Sequence, residues 1–212
     1  PVKTLICASN DNKVLYDFFR TGIYDKKREF ILTSSPSMDI LISSNLERLI
    51  YLSTGCDAEA NRSLMEQLNT QGSYEVTETM KEAMKDFTGG FATEAENAAE
   101  IKKVYEDTGY VIDTHTGVAS AVYRAYAEKT GDTTPTVIAS TASPYKFSHS
   151  VMEAIRGDEG SKDEFAIIDE LCSVSGVKIP AAVEEIRNAE IRHKRESDVE
   201  DMEKTVAEIL GL

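Results

Sequence analysis

Residues 136–150 constrain the fold most, because they combine a strand pattern, a turn and a helix start. Residues 136–142 form a β-branched, apolar run that is typical of a buried parallel strand. Ser143 and Pro144 then predict a turn, since proline donates no ladder hydrogen bond and disfavours helix before it. Ser148 is the predicted N-cap of a helix that ends at Gly157. This order of strand, polar turn and helix is typical of α/β sheets, which bind ligands at the carboxyl ends of their strands.

Earlier segments repeat the alternation of strand and helix. Residues 2–8 and 29–33 are predicted strands, and the helix between them gives the spacing of a βαβ unit. Residues 110–112 predict another short strand, whereas Gly89 and Gly90 are interpreted as a break in the chain. The predicted fold class is therefore α/β, with a mostly parallel sheet flanked by helices.

Helix signals divide the chain into two parts. The pattern predicts a helix from Pro36 to about residue 53, and a capping box of Thr93 and Glu96 opens another. Residues 158–163 form a polar loop, and the helical patterns 165–172 and 181–187 follow it. A second predicted capping box, Ser197 with Glu200, opens a last helix whose inward residues are predicted to be Val199, Met202, Val206, Ile209 and Leu210. We therefore predict an α/β domain over residues 1–160 and a helical tail over residues 161–212.

Composition excludes several classes of partner. The net charge of −14 argues against nucleic acid and against anionic membrane surfaces, which both require basic patches. No apolar run approaches the ~20 residues of a membrane span. The three cysteines are scattered and form no CxxC pair, which predicts reduced thiols in a cytoplasmic protein.

Polar loops after the predicted strands are the candidate ligand site. They contain hydroxyls, amides and a few cationic side chains, but no metal-ligand cluster, GxGxxG motif or Walker loop. Ser140, Thr141 and Lys146 lie in the loop after the predicted strand 136–142. They either cap and solvate that loop or orient an anionic ligand. Asn45 falls on the apolar stripe of its predicted helix, so it is either a structural asparagine bonded to the backbone or a group aimed at a ligand.

Three ordered motifs stand out in the sequence. They are residues 34–48 (Ser-Ser-Pro-Ser-Met-Asp-Ile-Leu-Ile-Ser-Ser-Asn-Leu-Glu-Arg), 113–119 (Asp-Thr-His-Thr-Gly-Val-Ala) and 140–147 (Ser-Thr-Ala-Ser-Pro-Tyr-Lys-Phe). These motifs, and the opening Leu-Ile-Cys-Ala-Ser-Asn of residues 5–10, resemble the threonine synthase family. The resemblance implies a pyridoxal-phosphate enzyme of fold type II. Such an enzyme is a lyase of threonine biosynthesis that converts O-phospho-L-homoserine and water to L-threonine and phosphate.

The same resemblance assigns expected roles to residues. Thr141 and Ser140 are expected to bind the cofactor pyridoxal 5'-phosphate, at the place where this fold type sets a hydroxyl against the pyridine nitrogen. The expected substrate-binding residues are Asn45, Arg48, Ser37, Asp39, His115 and Lys146. For Lys146, a surface role and a phosphate contact both remain open.

The resemblance also implies what this chain does not contain. The lysine that holds the cofactor covalently and the loop that binds the cofactor phosphate lie in the N-terminal half of the family. Nothing in the sequence matches either, so the chain is expected to be an inactive C-terminal fragment with no catalytic residue and no metal. Its expected partners are the missing N-terminal half, the substrate and a second copy of the chain in a homodimer. The alternatives are a serine/threonine dehydratase of the same fold and a non-catalytic amino-acid-binding regulatory domain.

Overall fold

The computed structural model describes residues 2–157 and 163–212, and it confirms the α/β class. The strands are β1 (Leu5–Ser9), β2 (Ile23–Asp25), β3 (Ser73–Glu75) and β4 (Phe87–Phe91). The helices are α1 (Val14–Thr21), α2 (Ser44–Ser53), α3 (Ala58–Gln71), α4 (Glu78–Ala83), α5 (Glu94–Thr108), α6 (Thr114–Thr130), α7 (Ser148–Arg156), α8 (Glu164–Ser175), α9 (Ala181–Arg187) and α10 (Met202–Leu210). Short 3₁₀ turns occupy Pro36–Met38, Pro144–Phe147 and Val199–Asp201.

The chain forms two compact units, Pro1–Lys178 and Ile179–Leu212. The predicted boundary at residues 160 and 161 lies outside the described residues, so it stays a prediction. The second unit contains α9, which has the predicted bounds, and α10.

The parallel pair β1–β4 is the centre of the first unit, with Cys7 opposite Gly89 in the register. Helices cover this pair on both faces. A Cβ added to Gly89 would lie 2.9 Å from the Cα of Tyr16 in α1, and one added to Gly90 would lie 2.4 Å from Val122 Cγ1 in α6. Gly89 and Gly90 therefore lie within strand β4, where the lack of side chains lets the two helices approach closely. Their interpretation as a chain break was wrong.

The second sheet is the antiparallel pair β2–β3. Tyr24 and Tyr74 stack across it with ring centroids 5.4 Å apart, and both are buried together with Phe18. This aromatic contact supports strands of only three residues. The sequence analysis missed both strands. It placed the second strand at residues 29–33, which is wrong, because that described segment joins no ladder.

Residues 136–142 and 110–112 are also fully described, and neither forms the predicted strand. Val137 is 95% exposed, so the prediction of a buried strand at 136–142 was wrong. The physical reason is that a strand needs a neighbouring backbone to accept and donate hydrogen bonds. In the described residues β1 and β4 pair only with each other, and no backbone pairs with residues 136–142, most of which are exposed to solvent.

Capping explains most differences at helix ends. The capping box of Thr93 and Glu96 is confirmed, as is Gly157 at the end of α7. The predicted helix from Pro36 was wrong over its first part, because Ser43 caps α2 by accepting a hydrogen bond from the Leu46 N–H. Ser148 is the first residue of α7 rather than its cap, and a 3₁₀ turn precedes it.

The last helix differs from its prediction in two ways. α10 begins at Met202 without a side-chain cap, so the capping box of Ser197 and Glu200 was wrong. Its predicted inward residues Val206 and Ile209 are 52% and 64% exposed. The described residues of this unit therefore leave the apolar face of α10 open to solvent.

None of the helices in residues 2–157 and 163–212 has the length and apolarity that crossing a bilayer requires. Over the same ranges, no group of three His, Cys, Asp or Glu side chains is placed to hold a metal ion. Cys7, Cys56 and Cys172 are free thiols. Burial raises the pKa of the Cys7 thiol to about 11, which keeps it protonated and poorly nucleophilic near neutral pH.

Candidate functional site

Three distant segments meet in one hydrogen-bonded group, which we call the polar cluster: Ser37, Asp113, His115, Thr116 and Ser140. Asp113 lies at its centre as the N-cap of α6, with a side chain that is 0% exposed. Its Oδ1 accepts hydrogen bonds from the backbone N–H groups of His115 (2.9 Å) and Thr116 (3.4 Å). Because an N-cap side chain fixes the first turn of a helix, Asp113 also fixes the positions of both neighbours.

His115 connects α6 to the 3₁₀ turn at residues 36–38. Its Nε2 accepts a hydrogen bond of 3.1 Å from the Ser37 N–H. That nitrogen therefore carries no proton, and Nδ1, 3.3 Å from Asp113 Oδ1, is the protonated one. The ring lies against Phe147, with centroids 4.7 Å apart. The structure thus specifies the tautomer and the orientation of His115.

Ser140 joins the cluster through Thr116. The two hydroxyl oxygens are 2.8 Å apart, and the Thr116 hydroxyl also contacts Asp113 Oδ2. Thr141 follows Ser140 on the same exposed segment. The segment 136–142 therefore forms no buried strand, but it brings Ser140 to the helix that carries His115.

Lys146 is exposed and lies beside the cluster. Its Nζ is 5.3 Å from the centroid of the Phe147 ring, the same ring that His115 contacts. A cation over an aromatic face is weakly held at an exposed position, by roughly 0.5–1 kcal/mol. The Lys146 ammonium is thus only weakly held, over the ring that His115 also contacts.

Asp39 has a different environment, because its carboxylate holds two loops together. Oδ1 accepts from Asn10 Nδ2 (2.7 Å), Asn12 Nδ2 (3.1 Å) and Thr33 Oγ1 (2.7 Å), and Oδ2 accepts from the Thr33 N–H (3.0 Å). Asn12 in turn forms two hydrogen bonds with the backbone of Ile31. These contacts tie the loop after β1 to the segment that leads to Ser37.

Asn45 and Arg48 lie apart from the polar cluster in the first turns of α2. Both are exposed, so the prediction that Asn45 falls on the apolar stripe was wrong. Since α2 begins at Ser44, its buried face is formed by Leu46 and Ile50 instead. Arg48 Nη1 donates a hydrogen bond of 2.6 Å to Asn45 Oδ1. The two side chains form one exposed unit, and the structure does not bring them to His115.

A cavity of about 320 Å³ lies at the N-termini of α5 and α6. Its lining includes Ser34, Glu94, Asn97 and Thr114. Glu94 Oε1 and Asn97 Oδ1 are buried and accept no hydrogen bond from the described residues. A carboxylate and an amide oxygen with no partner suit a hydrogen-bond donor such as water, and they disfavour a phosphate group in this cavity.

The sequence predicted the loops 113–116 and 143–147 as parts of a ligand site but gave no role to Asp113, Thr116 or Phe147. Asp113 and Thr116 have the spacing of an N-cap and its N3 residue, which was a readable signal. The contact between His115 and Phe147 joins residues of two separate motifs and had no local signal. The hydrogen bond from the Ser37 N–H to His115 also depends only on tertiary structure.

Comparisons with known proteins agree on one family. The family model described as "Threonine synthase, C-terminal" matches residues 116–209. A protein of Macaca fascicularis named "Threonine synthase-like 1" is 39% identical over 158 residues, which are 74% of this chain and 21% of that protein.

Two solved structures extend the agreement to the fold. The crystal structure of threonine synthase from yeast superimposes with a TM-score of 0.77 at 30% identity, over 100% of this chain and 43% of that one. The structure of threonine synthase from Brucella melitensis, solved with bound PLP, gives a TM-score of 0.69 at 37% identity, over 84% of this chain and 36% of that one. The chain thus spans from about a fifth to about two fifths of the length of these relatives.

Proposed function

Because this chain belongs to the threonine synthase family, we propose that it forms the C-terminal part of an enzyme that makes L-threonine and phosphate from O-phospho-L-homoserine and water. The polar cluster is the observation that carries the proposal. It joins Ser37, His115 and Ser140, which come from the three motifs that resemble the family. Three motifs that are far apart in sequence and meet through hydrogen bonds are typical of one site rather than of three separate surface loops.

The cofactor of this reaction would be pyridoxal 5'-phosphate, which supplies an electron sink when it is bound. Ser140 and Thr141 are the residues that would face its pyridine nitrogen. Both hydroxyls lie on an exposed segment, and Ser140 is held in place by Thr116. A hydroxyl can donate a hydrogen bond to a ring nitrogen or accept one from its N–H, so the two hydroxyls fit this cofactor.

The substrate side would use backbone and cationic groups beside His115, together with Arg48 on α2, which lies apart from them. A phosphate ester needs local donors here, because the chain carries a net charge of −14. Lys146 beside Phe147 and Arg48 oriented by Asn45 are exposed cations that can supply them. His115 and Ser37 would border the substrate, and Asp39 would act by holding the loop that carries Ser37.

The rest of the active site would come from the N-terminal half of the enzyme. The relatives are much longer than this chain, and we propose that the lysine that holds the cofactor lies in that additional part. The chain alone would then be inactive. The complete enzyme would have fold type II and act in the cytoplasm, and two copies would form a homodimer.

A chimeric enzyme tests the proposal. The matching 43% of the yeast enzyme is replaced by this chain, and release of phosphate and threonine from O-phospho-L-homoserine is measured. We expect turnover, and we expect Arg48→Ala to raise KM about tenfold by removing a phosphate donor. Arg62→Ala is the matched control, since Arg62 is an exposed arginine on α3 paired only locally with Glu59. A chimera that binds the cofactor and forms 2-oxobutanoate from threonine, without phosphate release, would favour the dehydratase.

The isolated chain provides a second test. Pyridoxal phosphate is added, borohydride reduces any adduct, and mass spectrometry locates the labelled lysines. We expect only low, scattered labelling. Stoichiometric labelling of one residue, Lys146 above all, would show that the chain binds the cofactor by itself. Tight binding of threonine to the chain alone by calorimetry would favour the regulatory domain instead.

A further inference from the structure

In the polar cluster, the Asp113 carboxylate and the hydroxyls of Thr116 and Ser140 form a chain of hydrogen bonds. Thr116 Oγ1 contacts Asp113 Oδ2 on one side and lies 2.8 Å from Ser140 Oγ on the other. We propose that Asp113 is a positioning residue that sets the direction of both hydroxyl hydrogen bonds. Ser140 then presents hydrogen-bond acceptors, and no donor, to whatever binds beside it.

The environment of Asp113 makes it an acceptor at every contact. Its side chain is fully buried at the N-terminus of α6, where the backbone N–H groups of His115 and Thr116 point at Oδ1. Helix N-termini stabilise negative charge. His115 Nδ1–H faces the same oxygen at 3.3 Å, because Nε2 is occupied by the Ser37 N–H. Because donors face both oxygens of Asp113, its contact with the Thr116 hydroxyl is interpreted as one in which Asp113 accepts.

The remaining directions follow from counting protons. Each hydroxyl has one proton and two lone pairs. The Thr116 proton goes to Asp113, so the hydrogen bond between Thr116 and Ser140 must use the proton of Ser140. Ser140 is left with a lone pair toward the exposed side of its segment. The neighbouring Thr141, exposed on the same segment, is then the hydroxyl that is able to donate.

This inference deepens the proposed function and rests on it where the ligand is concerned. If Ser140 accepts, its ligand must bring the proton, as the protonated form of a pyridine nitrogen does. A ligand nitrogen without a proton would pair with Thr141 instead. Asp113 would thus act on the ring nitrogen through two hydroxyls without touching it.

Neutron diffraction from crystals of the deuterated chain tests the directions without any cofactor. We expect the deuteron of Thr116 to point at Asp113 and that of Ser140 to point at Thr116. In Asp113→Asn the side chain still caps α6, but its Nδ2 can donate to Thr116, so both deuterons should reverse. Thr116→Ser is the matched control, since it keeps the hydroxyl and should keep the parent directions. A deuteron on Asp113, or a Thr116 deuteron directed at Ser140 in the parent chain, would overturn the proposal.

The chimera tests the effect on the cofactor. The absorbance of its bound cofactor is measured as a function of pH. In Asp113→Asn, Ser140 becomes a donor, so the ring nitrogen should lose its proton at lower pH than in the parent and in Thr116→Ser. An unchanged pH profile in Asp113→Asn would contradict the link to the ring. If the neutron map shows the expected deuteron directions but the chimera does not bind the cofactor, the inference about Asp113 holds and the proposed function is rejected.

Discussion

The strand β4 and the segment 136–142 show opposite relations between sequence and burial. β4 contains two adjacent glycines and looks like a break, yet it pairs with β1 and is covered by α1 and α6. The segment 136–142 is β-branched and apolar, yet Val137 in it is almost fully exposed. An apolar pattern therefore shows what a segment can bury, whereas a partner backbone and covering helices decide whether it does.

The largest effect is expected where β4 meets α1. In Gly89→Ala the new methyl group would lie 2.9 Å from the backbone Cα of Tyr16, which cannot move without shifting the helix. We expect a loss of about 3 kcal/mol in the free energy of unfolding. Urea titration followed by circular dichroism measures it. The control is Ala139→Val in segment 136–142, which adds more volume at an exposed position and should change little. Equal losses of unfolding free energy in the two variants would contradict the difference in burial between β4 and the segment 136–142.

The segment 29–33 is an intermediate case, because side chains replace its missing strand partner. Asn12 bonds to the backbone of Ile31, and Asp39 holds Asn12. Asp39→Ala would take the acceptor from the Thr33 N–H and would remove one acceptor each from Asn10 and Asn12, so we expect a loss of about 2 kcal/mol. Denaturation of the isolated chain measures this loss. Asp25→Ala is the control, because the Asp25 carboxylate accepts its hydrogen bond from the Lys27 N–H at an exposed contact. If Asp39→Ala were as stable as the parent, only a ligand role would be left for Asp39.

Helix α6, which covers one face of β4, is held to α5 by Arg124 and Glu100, whose side chains are 2.8 Å apart. Burial alone would raise the pKa of Glu100, but hydrogen bonds from Arg124 and Ser120 outweigh burial and hold the pKa below its ordinary value. Its stabilising contribution is therefore present above the ordinary glutamate pKa and is lost as the pH falls through the lower folded value.

Glu100→Gln tests that contribution. We expect a loss of about 1.5 kcal/mol at neutral pH, because the charge-assisted hydrogen bonds weaken. The loss should shrink as the pH is lowered toward and below the ordinary glutamate pKa, since the parent then loses the same interaction. Thermal unfolding from neutral to acidic pH measures both. Glu106→Gln, on the exposed side of α5, is the control, and a pH-independent loss in Glu100→Gln would contradict the ionic origin.

Local signals account for what the sequence predicted well. The capping box at Thr93 and Glu96 and the bounds of α9 depend on neighbours within a few residues. The motifs also predicted Ser37, His115 and Ser140 as residues of one site, and the structure joins them, although their roles stay predictions. The errors at 29–33, 89–90 and 136–142 all concern which backbone lies next to a strand. That information is long-range, and segments outside this chain can supply part of it.

The smallest effect in this chain is expected at Val137, and it tests what the exposed segment is for. Val137→Ser should change the free energy of unfolding of the isolated chain by less than about 0.5 kcal/mol, because the side chain is 95% exposed. Val122→Ala, at a 3% exposed position against β4, should cost about 2 kcal/mol in the same assay. In the chimera, the N-terminal half would provide the strand partner that the segment 136–142 lacks here. In the chimera, Val137→Ser should then cost about 2 kcal/mol, as much as Val122→Ala costs in the isolated chain. A chimera that tolerates Val137→Ser as well as the isolated chain does would show that this apolar segment has no buried place beside the other half.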